Sequence, residues 1–417
     1  MHRLPEQGLA WEAIEAQLRD YGQADFKWRD GKLPYFVWCA DEAILEVQRK
    51  AWRLYDVENA LGAKRAFPSL DRMEREIVEM ALGLLGGTAG SGGSFTSGGT
   101  ESNFLALKAA RTRARARRPG LTGMNIVVPE SAHASLRKGA GYLDLEVRLV
   151  PYDREFRSDV AAMAAAVDDK TIFLLGSAPQ FPTGTFDRIA QLGELARQRD
   201  LWLHVDACVG GLLAPFARRL GHALPDFDLA VPGVTSLSAD LHKYGYTAKG
   251  ASLVLYRDKA DLAFQEFSVE WASGTYSTPS FLGTRPGGSL AAAWAVMHFL
   301  GEAGYLERTR LILDTVRRPA AGIEAGARRA GRTVDLGGRP PVGRVGHRRV
   351  GPLDPRELKR AALAVRPPGP GAGVLVPRLP DQRAPAVEQR ELLPAVGEFP
   401  VVPLAGDEMR DVRPVPR

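Results

Sequence analysis

Cysteine is scarce: the 417 residues contain two, Cys39 and Cys208. Two thiols this far apart cannot build a zinc site, and their rarity suggests a reducing compartment. Cys208 lies in an apolar run and reads as a small buried hydrophobe. No run of about 18 apolar residues occurs, so no membrane-spanning helix is expected. The first twenty residues are amphipathic and mixed in charge, without the apolar core of a secretory signal. Cytoplasmic residence is therefore the expectation. There is no internal repeat, which excludes solenoids and propellers. What remains is a chain of ordinary apolar and charged content, 45% and 25%, typical of globular proteins. It is long enough for one large domain and a smaller one.

Lysine, tryptophan and tyrosine all but vanish near the end of the chain. Residues 317–417 hold 16 of the 29 prolines, 18 arginines, one lysine (Lys359), one aromatic (Phe399) and no Trp or Tyr. Their 19 Lys+Arg stand against 11 Asp+Glu, whereas residues 1–316 carry 36 against 38. The net charge of +6 therefore belongs to the tail, and the body is slightly acidic. A surface for single-stranded nucleic acid needs aromatics to stack bases, so no nucleic-acid partner is expected. Proline at this density leaves little room for helix or strand, and the tail reads as disordered or poorly packed. Text rich in Arg, Pro, Gly and Ala is also what a GC-rich coding region yields in the wrong frame. The expectation is a frameshift near Arg317 to Pro319.

The body is patterned. Residues 11–61 read as helical pieces around a loop at 31–38. An amphipathic helix is predicted over 67–86, with Met73, Ile77, Ala81 and Leu84 on one face and Asp71 and Glu74 in its first turn. A glycine-rich stretch follows at 86–99, then a helix over 101–117. Short apolar runs at 125–128, 147–150, 172–175, 201–205, 234–237 and 252–256 read as strands, with a helix over 187–199 between two of them. Buried strands separated by helices imply a mostly parallel sheet covered on both faces, an α/β architecture. The division is an N-terminal helical arm (1–66), a large domain (67–316) and the aberrant tail (317–417).

Three segments carry chemistry. Thr96-Ser97-Gly98-Gly99-Thr100-Glu101-Ser102 opens a helix. Glycines admit an anion to the backbone, and a helix N-terminus supplies free N–H groups, so Gly99 and Thr100 are candidate phosphate ligands. A capping loop would look similar. Leu203-His204-Val205-Asp206-Ala207-Cys208 ends a predicted strand, where ligands of open α/β sheets bind. A carboxylate there can pair with a protonated ring nitrogen, or simply cap a turn. Ser236-Leu237-Ser238-Ala239-Asp240-Leu241-His242-Lys243-Tyr244 offers a lysine in a polar turn after a strand. Such a lysine forms a Schiff base if burial and a nearby cation lower its pKa. Lys249, beside Gly250, is the same residue type but reads as structural.

In that chain order, an anion cradle, a ring-nitrogen acid and an amine make up a pyridoxal-phosphate (PLP) site. The three blocks resemble those of the group II PLP decarboxylase family, most closely its sphingosine-1-phosphate lyase branch. Ser131-Ala132-His133, Ser177-Ala178-Pro179-Gln180-Phe181-Pro182-Thr183-Gly184, Asp240-Leu241-His242-Lys243-Tyr244-Gly245-Tyr246, Ser273-Gly274-Thr275-Tyr276 and Gly283-Thr284-Arg285-Pro286-Gly287-Gly288 resemble further segments of that branch. The resemblance runs from about residue 35 to 316. It implies a fold type I, PLP-dependent transferase-like large domain. It also implies that Lys243 forms the Schiff base, that Asp206 pairs with the pyridine nitrogen and that His133 stacks on the ring. Gly99, Thr100, Ser238 and His242 would hold the phosphate. No metal is implied. A homodimer is, with the Thr275–Tyr276 loop reaching the partner's cofactor and Tyr276 counted among the catalytic residues.

The resemblance has gaps. The branch carries a histidine-bearing stretch where this chain reads Glu58-Asn59-Ala60-Leu61-Gly62-Ala63-Lys64-Arg65-Ala66-Phe67-Pro68. The expectation is that the family's small C-terminal domain is missing or replaced, and that the membrane anchor of the eukaryotic lyases has no counterpart. The expected reaction is a retro-aldol split of a phosphorylated, sphingolipid-like amino alcohol, with Tyr244, Tyr246 and Tyr276 as candidate bases. An amino-acid α-decarboxylase, an aminotransferase-like enzyme and an inactive PLP-binding remnant are the other readings.

Overall fold

The computed structural model describes residues 2–30 and 36–329, with side chains as far as Arg317. The chain divides into a unit Met1–Pro340 and a unit Pro341–Arg417, and all the described residues belong to the first. The loop expected at 31–38 is described only from Phe36 onward. The disorder expected of residues 330–417 lies outside the described residues; residues 317–329, which hold the start of the expected tail and the expected frameshift site at Arg317–Pro319, are helical.

One sheet organises the unit. Its strands are β1 (Gly92–Thr96), β2 (Asn125–Pro129), β3 (Glu146–Val150), β4 (Thr171–Ser177), β5 (Trp202–Asp206), β6 (Val234–Ala239) and β7 (Ser252–Tyr256). They lie in the order β1-β7-β6-β5-β4-β2-β3. β3, β2, β4, β5 and β6 pair in parallel. β7 runs antiparallel to both β6 and β1, so β1 points the same way as the parallel strands. Every strand but β7 therefore ends at one edge of the sheet.

The helices are α1 (Trp11–Tyr21), α2 (Glu42–Arg53), α3 (Pro68–Leu84), α4 (Gly99–Arg117), α5 (Ala134–Tyr142), α6 (Val160–Ala166), α7 (Ile189–Gln198), α8 (Ala214–Arg219), the short α9 (Leu262–Gln265) and α10 (Gly287–Arg329). Gly301 interrupts α10 with a non-helical conformation. The hairpin β8 (Phe267–Trp271) and β9 (Gly274–Thr278) follows α9 as a separate two-stranded sheet. Among the described residues no helix is long and apolar enough to cross a membrane.

The strands read as unbroken apolar runs because both faces are buried. Val127, Leu174, Leu203, Val205, Leu253 and Leu255 face one core, which α3 and α7 complete with Leu70, Ile77, Leu192 and Leu195. Their neighbours in sequence, Ile126, Val128, Phe173, Leu175, Trp202, Val254 and Tyr256, face a second core under α4 and α5. This is the period-2 alternation that pleating imposes. Removing one of these side chains, as in Phe173→Ala, should cost about 3–5 kcal/mol.

α3 starts with Pro68 at its first position, where the missing N–H is no loss. It ends at Leu84, and Gly86 two residues on has a φ of +72° that would hold a Cβ 2.7 Å from the Ala230 nitrogen. Glycine is therefore required there. Glu74, expected in the first turn for its charge, instead accepts from the Phe95 N–H and pairs with Arg285 at 3.2 Å. Two differences from expectation bear on the site. α4 begins at Gly99, two residues before the predicted start. The glycine-rich stretch contains β1, because pairing with β7 along its whole length outweighs glycine's poor strand propensity.

Candidate active site

The strand ends gather the chemistry at the shared edge. Ser97, Gly98 and Gly99 follow β1, His133 follows β2, Pro179 follows β4, Asp206 ends β5 and Lys243 follows β6. With Trp38, Thr100, Asn103, Cys208, Asp240, His242 and Lys249 they line one cleft of about 630 Å³. Of the predicted site residues, Lys243, Asp206, His133, Gly99, Thr100 and His242 all meet here.

At the cradle, α4 presents its first turn with Gly98 at the cap and no side chain closing it. A Cβ on Gly99 would lie 2.5 Å from Cys208 Sγ and 2.9 Å from Asp240 Oδ1. No other residue fits, and the backbone N–H groups stay accessible from the cleft side. The His242 ring stands beside Gly98. Its Nδ1 is buried without a partner. Burial, with the help of Lys249 and Lys243, pushes the imidazole below its ordinary value. Glu101 ties the cradle down: its carboxylate accepts from the Ser97 N–H at 2.6 Å and from the Phe281 N–H at 2.8 Å.

Lys243 Nζ lies 2.8 Å from Asp240 Oδ2. Burial alone would lower its pKa, but the adjacent carboxylate holds the ammonium above its ordinary value. The amine is thus stored as the ion pair and must surrender a proton before it can act as a nucleophile. Asp206 is buried. Burial opposes its charge, yet the Cys208 N–H at 3.1 Å and the Asn103 amide at 3.1 Å keep its carboxyl below the usual range. It stands as an ionised carboxylate at the end of β5. His133 caps α5, its Nδ1 accepting from the Ser135 N–H.

Two predicted residues lie elsewhere. Ser238 is fully buried beside β5, in register with Asp206. It accepts from the Cys208 thiol at 3.3 Å and donates to Asp206 Oδ1 at 3.5 Å. It lines no part of the cleft, so the phosphate role expected of it is corrected to support of Asp206. Tyr276 sits on β9, packed edge-on against Phe267, and does not line this chain's cleft. Neither do Tyr244 and Tyr246, and burial raises the Tyr246 hydroxyl far above its ordinary value. Lys249, read as structural, is a cleft residue. Its Nζ lies 4.8 Å over the Trp38 ring, and burial followed by repulsion from Lys243 lowers its pKa.

Comparison with known proteins bears on this constellation. The profile of the pyridoxal-dependent decarboxylase conserved domain matches residues 61–323. The chain belongs to that family. It is 41% identical over 330 residues to a sphingosine-1-phosphate lyase of Oryza sativa, covering 77% of this chain and 60% of the relative. It is 34% identical over 259 residues to a probable L-tyrosine/L-aspartate decarboxylase of Methanothermobacter thermautotrophicus, 61% of this chain and 70% of that one. Among solved structures, the Burkholderia pseudomallei sphingosine-1-phosphate lyase aligns with a TM-score of 0.74 at 38% identity. That alignment covers 79% of this chain and 76% of the other. The chain thus spans about 60% of the length of the rice lyase.

The family's cofactor is PLP, and the residues present fit it. The Gly99 backbone and the orphan His242 Nδ1 suit a phosphate, Asp206 suits a protonated ring nitrogen, and Lys243 suits the Schiff-base amine. Among the described residues no cluster of His, Cys, Asp and Glu could hold a metal. Sequence reasoning missed Asn103 and Asp240 as members of the site. Asp240 lies inside one motif singled out and Asn103 directly after another, but only the fold shows that they touch Lys243 and Asp206.

Proposed function

We propose that this chain is a PLP-dependent carbon–carbon lyase acting on a phosphorylated amino alcohol. One observation carries the reading: Lys243, Asp206, His133 and the Gly99–Thr100 cradle converge on a single cleft, in a chain about 40% identical to sphingosine-1-phosphate lyases. When bound, PLP supplies an electron sink for a bond broken at the amine-bearing carbon of the substrate. The protein's own groups do the rest. Asp206 holds a proton on the ring nitrogen. Lys243 would hold the cofactor by its amine, which Asp240 keeps positioned at the cleft. Thr100, His242 and the α4 N-terminus would hold the phosphate through hydrogen bonds and the helix dipole. Lys249, with its lowered pKa, is the cleft residue suited to take the substrate's hydroxyl proton. The hydroxyl-bearing carbon would leave as an aldehyde, and the amine-bearing carbon, on regaining the proton held by Lys249, as an amino phosphate.

We also read the protein as a cytoplasmic homodimer. β8 alternates Phe267, Val269 and Trp271 on one side with Ser268 and Glu270 on the other, and the three apolar side chains are 52%, 43% and 60% exposed. An apolar stripe of this kind suits a second copy of the chain.

The test is a spectrum and a product assay. Wild-type protein given PLP should absorb in the near-violet, and borohydride should fix the cofactor on Lys243. Lys243→Ala should do neither. With a long-chain amino alcohol phosphate the wild type should release aldehyde. The second reading, an α-decarboxylase, is favoured by the 34% identity to the tyrosine/aspartate decarboxylase. It predicts carbon dioxide from an amino acid and no aldehyde. A colourless protein would sink both.

A further inference from the structure

Asn103 sits in the second turn of α4, 1% exposed, between the cleft and the buried side of the sheet. Its amide is the hub of a buried chain of polar groups. The chain begins at Trp202, whose indole Nε1 can only donate and does so to Ser236 Oγ at 2.7 Å. The Ser236 proton then goes to His204 Nδ1 at 2.8 Å. That leaves the His204 proton on Nε2, which lies 3.0 Å from Asn103 Oδ1. The amide NH₂ must therefore face the other way. It donates to Ser135 Oγ at 3.0 Å and to Asp206 Oδ2 at 3.1 Å. Ser135, having accepted, donates to His133 Nδ1 at 2.8 Å.

The far end demands the same direction. The Asp206 carboxylate can only accept, so the amide must show it a nitrogen. His133 Nδ1 faces both the hydroxyl and the N–H of Ser135, so it carries no proton. A donor-only indole at one end and an acceptor-only carboxylate at the other fix one orientation of the amide between them. Burial drives His204 down to about 4, which keeps it neutral and the chain unbroken at physiological pH.

We propose that Asn103 is a positioning residue whose single amide sets the donor–acceptor direction of this chain and thereby orients Asp206 and His133 together. This rests on the reading of those two residues as the groups that flank the cofactor ring. The consequence is that the ring-nitrogen acid and the stacking histidine are aligned by one side chain rather than separately. Asp206 keeps one oxygen engaged by Asn103 and the other by the Cys208 N–H, and His133 offers Nε2–H as its donor.

The experiment uses the full chain labelled with ¹⁵N-histidine. Two-bond proton–nitrogen correlations, recorded without cofactor, should show His204 and His133 neutral with the proton on Nε2. A His204 proton on Nδ1, or a charged His204 at neutral pH, reverses the chain and overturns the proposal. PLP affinity is then compared between Asn103→Leu, which nearly keeps the volume, and Asn103→Ala, which does not. Positioning through hydrogen bonds predicts that both weaken PLP at least tenfold. A packing role predicts that the leucine variant binds like wild type, which would also overturn it. If neither variant folds, Ser135→Ala serves. It removes the hydroxyl that joins the Asn103 amide to His133 Nδ1, leaves the Asn103–Asp206 bond in place and should weaken PLP severalfold, whereas unchanged affinity counts against the proposal. Failure of the wild type to bind PLP would sink the functional reading instead, since the histidine protons are read without it.

Discussion

At the C-terminal edge of the sheet, each functional side chain is held by a neighbour with little freedom. Asp206 is fixed by Asn103 and the Cys208 N–H, His133 by Ser135, and Lys243 by Asp240. On the hairpin β8–β9, strands pair with each other and with no larger sheet, and Phe267 and Trp271 stand half or more exposed. The hairpin is anchored at its foot, where Gln265 donates to Ser94 Oγ and the Phe281 N–H donates to Glu101. Its strands project beyond that foot. Two strands alone are marginally stable in water. The contrast is that the edge holds its functional side chains with groups of the same chain, whereas the hairpin leaves apolar side chains exposed.

The sharpest way to break that contrast is to strip the edge of its charge. Asp206→Asn should keep PLP bound and coloured but slow turnover by about 10³-fold, the order seen when a preorganised electrostatic partner is lost. Single-turnover kinetics at saturating cofactor would measure it. Turnover within a few-fold of wild type would mean that the ring-nitrogen acid lies elsewhere.

Next comes proton linkage. His204 titrates near 4 in the folded protein against 6.5 for the free side chain, because burial penalises its charged form. Between those values the unfolded chain binds a proton that the folded one refuses. Stability is therefore full above pH 6.5 and falls as pH drops through 4, by about 3 kcal/mol in all. Burial of His242 pulls in the same direction. Urea midpoints between pH 7 and 4.5 should show the fall, and His204→Gln should flatten it by about one proton. Parallel curves for the two proteins would contradict the buried neutral chain.

Smaller still is the cradle. Gly99→Ala drives a methyl group against Cys208 Sγ and Asp240 Oδ1 and displaces the first N–H groups of α4. The loss of charge-assisted contacts to a phosphate should weaken PLP by about 2 kcal/mol, roughly thirtyfold. Titration of the near-violet band would read it. Unchanged affinity would move the phosphate away from this helix.

The same contrast governs what could be read from the chain before the fold was known. The strands were legible because Val127, Phe173, Leu203 and Leu255 lie in unbroken apolar runs. Asp206 was legible because it ends such a run, and Lys243 because it lies in the polar turn after a strand. Asn103 was not: a polar residue in the second turn of a helix has no local signature, and its three partners lie 32 to 103 residues away. β1 was hidden by its glycines, since its pairing with β7 is a tertiary contact. Lys249 looked structural beside Gly250, and only the packing of Trp38 shows that it enters the cleft. Ser238 was misplaced because its motif neighbours His242 and Lys243 lie past the end of β6, whereas it lies within the strand and points under Asp206. Local pattern carries the scaffold, and long-range contact carries the support of the site.

The hairpin offers the last and gentlest test. Replacing Phe267 and Trp271 by serine removes two side chains that are 52% and 60% exposed, so the single chain should lose little stability, about 0.5 kcal/mol or less per site. If a second copy covers this stripe, the double variant should shift from dimer to monomer in analytical ultracentrifugation. PLP should still bind at the edge, since Asp206, Lys243 and the cradle all belong to one chain. Turnover should fall if Tyr276 on β9 serves the cleft of the partner subunit, because separating the chains withdraws it. A double variant that remains dimeric would show that the stripe has another use. One that is monomeric yet fully active would show that the hairpin contributes association and no chemistry.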